Sequence, residues 1–318
     1  MSKRSNAGLS LDLDNLWSYM RIHGDSGWDT FPSYLDVVVP RFLEFLRDRD
    51  LLITVFIVGK DATIDGNHPA LRSIVGAGHE VGNHSHMHEP WLHRYSDAEI
   101  DAEIGAAHAA ISSVTGMEPV GFRGPGFSLT PAVLESLHRH GYRYDTTTLP
   151  TYIGPLARWY YFRGAELDDR QSEERAALFG SFRDGFQPNR PYRWNLAQGS
   201  ILELPVTTFP IIKVPFHFSY LLYLSGRSPR LANAYFSSGL ELCRRLGLGP
   251  TLLLHPLDFL DSSDAPQLEF FPGMDIDAET KMTRLDGYLD RIAERFDIGS
   301  MSAYVDSLDA TIPVRALR

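Results

Sequence analysis

Short apolar runs alternate with longer amphipathic ones along most of this 318-residue chain. That rhythm constrains the fold more than any other feature. Ala7–Leu13, Leu52–Val58, His79–Gly82, Val120–Phe122, Tyr142–Asp145, Ile201–Leu204 and Thr251–Leu254 read as strands, each a brief apolar or β-branched run bounded by turn residues. Ser33–Asp50, Asn67–Ala77, Ser96–Gly116, Thr130–His140, Pro229–Leu246 and Ala278–Phe296 read as helices. In the first of these, Leu35, Val38, Val39, Phe42, Phe45 and Leu46 fall at helical spacing; Ser96 and Glu99 form a capping box on the third. Residues 298–308 add a last short strand and helix, and Ile22–Phe31, rich in Gly, Asp and Ser, reads as loop. Strands separated by helices pair in parallel, so the expected fold is α/β, either a barrel or a doubly wound sheet.

A single α/β barrel commonly occupies ~200–250 residues, so residues 1–318 are read as one catalytic domain. Residues 151–200 break the rhythm with aromatics and arginines, including Arg158 to Arg163, and read as an insertion over one end of the barrel, a lid or substrate wall. Trp159, Tyr160, Tyr161, Trp194 and Tyr220 would line a wide groove or simply form the core of that insertion. A net charge of −10 argues against nucleic acid as a partner, because phosphate binding wants a basic surface. Cys243 is the only cysteine, which excludes an internal disulfide and a thiolate metal cluster. Met1–Ser10 lacks the apolar core of a secretory signal, and Ile211–Leu224 is too short to span a bilayer. The expectation is a cytoplasmic enzyme without a transmembrane segment; peripheral membrane contact and a homo-oligomer stay open. Ile211–Leu224 either receives a lipid tail or is plain buried packing.

In parallel α/β folds, functional side chains gather at the carboxyl ends of strands. Four ionisable clusters sit just there: Asp12 and Asp14, the triplet His84, His86 and His88, Arg123, and His255. His84 and His88 fit one face of a helical turn, whereas His84 and His86 would share one side of an extended segment. One carboxylate and two imidazoles make a mixed O/N site with open positions, and Asp14, His84 and His88 are the expected ligands. Water held at such a site titrates near pH ~7 and becomes a nucleophile at neutral pH. Asp12 would be the base that takes its proton, and His255 the acid that protonates a departing amine. Asp12 and Asp14 would otherwise be a turn or cap pair, and His255 a satisfied core histidine. Arg123, in Arg-Gly-Pro-Gly, is suited to pair with and orient Asp12, with the backbone N–H of Gly126 as an oxyanion donor.

These residues together resemble the NodB-type polysaccharide deacetylase family, carbohydrate esterase family 4 and its relatives. Ser10-Leu11-Asp12-Leu13-Asp14 matches its Asp-pair motif, and His84-Ser85-His86-Met87-His88 its H-[ST]-x-x-H motif, led by Gly78-His79-Glu80-Val81-Gly82-Asn83. Arg123-Gly124-Pro125 matches R-x-P, and Leu252-Leu253-Leu254-His255 matches L-x-L-H. Gly141 to Asp145 resembles the strand after the third motif. The resemblance covers roughly residues 7–150 and 200–308. It implies a distorted (β/α)7 barrel, a divalent metal (Zn2+, with Co2+ or Ni2+ as alternatives) on Asp14, His84 and His88, and hydrolysis of an N-acyl group on an amino sugar, sugar conjugate or glycolipid. By the same carry-over Asp12 is the base, Arg123 orients it and His255 is the acid. The D-x-D spacing, where many members have adjacent aspartates, leaves open which of Asp12 and Asp14 touches the metal. Gly126 stands where many members carry an aromatic, and no Asp/Trp fourth motif is evident; Glu203-Leu204-Pro205 occupies that stretch. These departures point away from a long crystalline glycan and toward a small or lipid-linked amino sugar. Other readings are an allantoinase-like amidohydrolase acting on a small cyclic amide, and a catalytically silent glycan-binding protein, which would need neither Asp12 nor His255.

Overall fold

A computed structural model of the chain describes residues 4–156, 158, 173–175, 178, 180–308 and 311–317. Its strands are β1 (Ser5–Leu13), β2 (Thr54–Ile57), β3 (Glu80–Asn83), β4 (Gly121–Phe122), β5 (Tyr144–Asp145), β6 (Tyr192–Leu196), β7 (Gly199–Glu203), β8 (Thr251–Leu254), β9 (Phe296–Gly299) and β10 (Val314–Ala316). The sheet runs β10-β6-β7-β5-β4-β3-β2-β1-β8, with β9 also on β1, and every pair is parallel except the β6–β7 hairpin. Beyond β7 the chain continues toward β8: Thr207 N donates to Thr251 O at 2.9 Å, and Thr251 N to Thr207 Oγ1 at 2.8 Å. That contact closes β1, β2, β3, β4, β5, β7 and β8 into the expected (β/α)7 barrel. It is distorted because the closure is made by a loop crossing rather than a full ladder, and because β4 and β5 are two residues each.

β2 and β8 are buried at every residue, as befits parallel strands covered on both faces. β1 shows the consequence of a two-residue repeat. Leu9, Leu11 and Leu13 join the core between barrel and helices, while Ser10 and Asp12, also buried, take the opposite face. A leucine-in, polar-in strand of this kind places hydroxyl and carboxylate inside the barrel.

The helix Leu35–Arg47 buries Leu35, Val38, Val39, Phe42 and Leu46, and the helix Asp97–Thr115 starts on the Ser96–Glu99 capping box. The helix Phe218–Arg227, the strand β10 and two further elements differ from the sequence reading. Leu16–His23 is a helix, capped by Asn15, whose side-chain oxygen accepts from Leu16 N at 2.8 Å. Residues 192–196, read as the end of an insertion, are β6, whose Tyr192, Trp194 and Leu196 point into a second core cluster. Trp159, Tyr160, Tyr161 and most of 163–178 lie outside the described residues. Among the described residues, no helix is long and apolar enough to cross a membrane.

Candidate active site

The four strand-end clusters meet at one mouth of the barrel. The register sets Leu13 beside Ile57 and Ile57 beside Asn83 across β1, β2 and β3, with Asn83 beside Phe122 on β4 and Leu11 beside Leu254 on β8. Asp14, His84, Arg123 and His255 are each the first residue past such a partner or past the strand itself.

His84 and His88 are brought together by a loop, not by a helical turn. Ser85 and His88 take left-handed backbone (φ 60° and 51°), which folds the segment back on itself. Asn83 Oδ1 accepts from Ser85 N at 2.8 Å and Ser85 Oγ from Glu89 N at 3.1 Å, bracketing the turn. The two imidazole rings stand 5.0 Å apart between centroids. His86 turns away, its Nδ1 buried beside Gly59.

Asp14 Oδ1 lies 2.9 Å from His88 Nε2 and 3.2 Å from His84 Nε2. One ligand atom from each residue falls within 4.8 Å of the others, and all three residues are buried. His84 Nδ1 is 2.7 Å from the carbonyl oxygen of Arg123 and donates to it, so Nε2 is the ring nitrogen turned to Asp14. Burial alone would raise the Asp14 carboxyl; the charge of His88 and hydrogen bonds with both imidazoles overcome it and hold the group well below its ordinary range. For His84, burial works against the charged form, but Asp12 and Asp14 prevail and push it up. A carboxylate and two imidazole Nε2 atoms aimed at one point form a donor set that fits a divalent cation, which would take the place of the Nε2 protons.

Asp12 is held from the other side. Arg123 Nη1 is 2.6 Å from Asp12 Oδ1 and 2.9 Å from Ser10 Oγ, while Nε and Nη2 donate to Thr146 O and Thr146 Oγ1 at 3.2 and 3.1 Å. The guanidinium also packs over the Phe56 ring, 4.7 Å from its centroid. Just past it, Gly124 N donates to Thr147 Oγ1 at 2.8 Å. Gly126 has φ 59°, and a Cβ there would meet Pro90 Cβ at 2.8 Å.

His255 Nδ1 lies 3.5 Å from Ser219 Oγ, which donates to Asp258 Oδ1 at 3.1 Å; Asp258 Oδ2 accepts from His255 N at 2.8 Å. The motif reading missed Ser219 and Asp258. Asp258 had a signal, an acidic residue three past a strand-end histidine with Pro between, whereas Ser219 arrives from a helix, Phe218–Arg227, distant in sequence. Asp12, Asp14, His84, His88, Gly126 and His255 all line one cavity of about 560 Å³. Tyr220 is in its wall; Trp194 lines a neighbouring cavity instead.

No Asp/Trp motif was legible in sequence, yet a Trp–carboxyl cluster exists. Trp194 Nε1 donates to Glu203 Oε2 at 2.9 Å, and Glu203 is the β-partner of Asp145. Burial first, then the Asp145 charge, pushes the Glu203 carboxyl up, and burial also raises that of Asp145.

Residues 25–144 match the family model for polysaccharide deacetylase. A peptidoglycan deacetylase of Helicobacter pylori (strain ATCC 700392 / 26695) is 28% identical over 167 residues, which cover 51% of this chain and 55% of that protein. The match thus spans about half the length of the curated relative. A Mycobacterium smegmatis protein provisionally called a polysaccharide deacetylase has the same fold, with a TM-score of 0.65 over 100% of this chain and 95% of that one at 18% identity. A family 4 carbohydrate esterase from Streptomyces lividans, in complex with acetate, aligns at a TM-score of 0.49 and 15% identity over 98% and 100% of the two chains. The chain is thus similar in sequence to polysaccharide deacetylases over residues 25–144 and shares its fold with the Mycobacterium smegmatis protein, and its four ordered motifs at Asp12–Asp14, His84–His88, Arg123–Pro125 and Leu252–His255 resemble those of the NodB-type family.

Proposed function

We propose that this chain is a metal-dependent N-deacylase, removing an acyl group, most simply acetyl, from the nitrogen of an amino sugar or its conjugate. The observation that carries the reading is the convergence of two imidazole Nε2 atoms on Asp14 Oδ1 in a cavity also lined by Asp12 and His255. Asp14, His84 and His88 would hold the divalent cation, for which Zn2+ is the first choice. When bound, such an ion polarises an acyl oxygen and makes water acidic enough to attack at neutral pH.

The rest falls to the chain's own side chains. Asp12, fixed by Arg123, accepts the proton of the attacking water. Gly126 N–H is the candidate donor to the acyl oxygen as it gains negative charge. His255, steadied by Ser219 and Asp258, delivers a proton to the leaving nitrogen so that it departs as a neutral amine.

The test is acetate release from a panel of N-acetylated amino sugars and conjugates by protein loaded with Zn2+ or Co2+. Turnover that a chelator abolishes and metal restores is expected. A metal-loaded, folded protein that frees no carboxylate from any member would end the proposal. His84→Asn should also lose zinc in a competition titration against a chromophoric chelator; unchanged affinity would reject the ligand assignment.

A further inference from the structure

Sugar hydroxyls are recognised by side chains that offer donors and acceptors together, chiefly carboxylates, amides and guanidinium groups. The described lining of the site cavity offers few of these. Among its described lining residues, Asp12 and Asp14 on the floor are the only acidic ones, and Lys, Arg, Asn and Gln are absent. Two wall hydroxyls are already engaged, that of Thr151 with Lys213 O at 2.7 Å and that of Ser219 with Asp258. His217 also lines the wall; burial, reinforced by nearby His255, lowers its pKa to about 3, so it stays uncharged. Tyr19, Tyr220 and Tyr223 add aromatic rings with one hydroxyl each, and Ile153, Leu156, Leu178, Leu257 and Phe271 supply purely apolar wall.

A second, independent feature adjoins this wall. Residues 209–214 form a tight turn, with Phe209 N on Val214 O and Lys213 N on Phe209 O, both at 2.8–2.9 Å. Its tip exposes Ile211 and Ile212 (76% and 51%), and Ile211 holds φ 76°, a costly conformation for a β-branched residue. Thr151 and Pro215, both lining the cavity, tie the turn to it. An exposed apolar tip therefore sits on a turn joined to the cavity wall at Thr151 and Pro215.

The side of the scissile bond on which that wall lies follows from the proton transfer. His255 serves the leaving nitrogen, so the amine half of the substrate faces the helix Phe218–Arg227, which supplies Ser219, Tyr220 and Tyr223. We propose that the substrate is an amphiphile, an N-acyl amino sugar whose amine half carries a hydrocarbon chain seated along this wall. The inference rests on the N-deacylase reading and narrows its substrate class.

The test uses zinc-loaded protein with the methyl and octyl β-glycosides of N-acetylglucosamine, both below their aggregation limits, and N-octanoylglucosamine methyl glycoside. Two quantities are read: kcat/KM from carboxylate release, and Kd of the corresponding free-amine glycosides by calorimetry. The octyl glycoside should exceed the methyl by at least tenfold in both. Leu156→Gln, a change at a side chain already 60% exposed, should shrink that ratio at least threefold. Equal values for octyl and methyl overturn the amphiphile while leaving deacylation intact. Preference for the octanoyl amide also overturns it, because the chain would then lie on the acyl side. Absence of release from all three, with octyl-amine binding still tenfold tighter, would fault the deacylase reading and keep the apolar site.

Discussion

Arg123 and Asp12 form the shortest charged contact in the barrel interior, 2.6 Å between Nη1 and Oδ1, with side chains 1% and 5% exposed. The arginine spends its other donors on Ser10 and Thr146, so the carboxylate is held by a group that is itself immobilised from both sides. Its backbone carbonyl meanwhile accepts from His84 Nδ1. One residue thus sets the position of the candidate base through its side chain and of a candidate ligand through its main chain.

Those two tasks can be separated. Arg123→Lys keeps the carbonyl and a positive charge but cannot reach Ser10, Asp12 and Thr146 together, since an ammonium lacks the planar fork. kcat should fall by about 10²-fold, the scale of a mispositioned catalytic group, while zinc affinity stays within about threefold. Arg123→Ala removes the charge from a buried carboxylate and should cost about 3–5 kcal/mol in urea unfolding. A lysine variant with full kcat would show that Asp12 needs no such orientation.

Gly126 is constrained twice over. Its φ of 59° is one that side chains rarely take, and an added methyl would meet Pro90 Cβ at 2.8 Å and Leu178 Cδ2 at 2.9 Å. Gly126→Ala should lose about 1–3 kcal/mol of stability from strain and overpacking. If its N–H faces the reacting acyl oxygen, kcat should drop more than the stability loss alone explains, at a temperature where the variant is fully folded. Thermal unfolding beside kcat at 20–25 °C reads both; a stable, fully active variant would remove Gly126 from the site.

Much of this arrangement was legible in the sequence, for a physical reason. Parallel strands covered on both faces must be apolar, so Leu52–Val58 and Thr251–Leu254 announced themselves, and the polar residues that interrupt or end such runs, Asp12, Asp14, His84, Arg123 and His255, stood out against them. The helix Leu16–His23 did not, because eight residues give too few turns for periodicity to be seen and its start depends on Asn15, whose amide is held by Asp61 from the short helix Gly59–Ala62. β6 carried an alternation of Tyr192, Trp194 and Leu196, hidden by reading 151–200 as one block. The choice between Asp12 and Asp14 was also invisible. Both lie on one face of an extended segment, and only the approach of Arg123 on one side and two imidazoles on the other distinguishes them.

Ser219 was out of reach of any motif, and its role is open to a direct test. Its hydroxyl spans Asp258 Oδ1 at 3.1 Å and His255 Nδ1 at 3.5 Å, so its removal loosens the ring without touching the metal ligands. Ser219→Ala should lower kcat by about tenfold, typical of a lost supporting hydrogen bond, and leave zinc affinity and the unfolding midpoint close to wild type. Ser219→Thr, which keeps the hydroxyl, should recover most of the rate. Equal kcat in the alanine variant would mean that Asp258 steadies His255 through the backbone alone.

Asp61 gives the metal-free protein a pH dependence of its own. The carboxyl is buried, with Oδ1 accepting from Asn15 Nδ2 at 2.8 Å and Trp17 Nε1 at 2.9 Å, while Oδ2 is a buried oxygen without a hydrogen-bond partner among the described residues. Burial raises its pKa to about 7, only partly offset by those two donors. In the unfolded chain an aspartate titrates near ~3.9. The folded state therefore binds the proton more tightly: the associated stability is fully present below about pH 4 and is lost as pH climbs through about 7. Asp61→Asn keeps the Oδ1 acceptor and cannot ionise, so between pH 5 and pH 8 its unfolding free energy should fall less than that of wild type, by on the order of a few kcal/mol. Urea unfolding of both proteins in chelator at these two pH values decides it. Parallel profiles would mean that Asp61 stays ionised in the fold, and that Asn15 and Trp17 outweigh its burial.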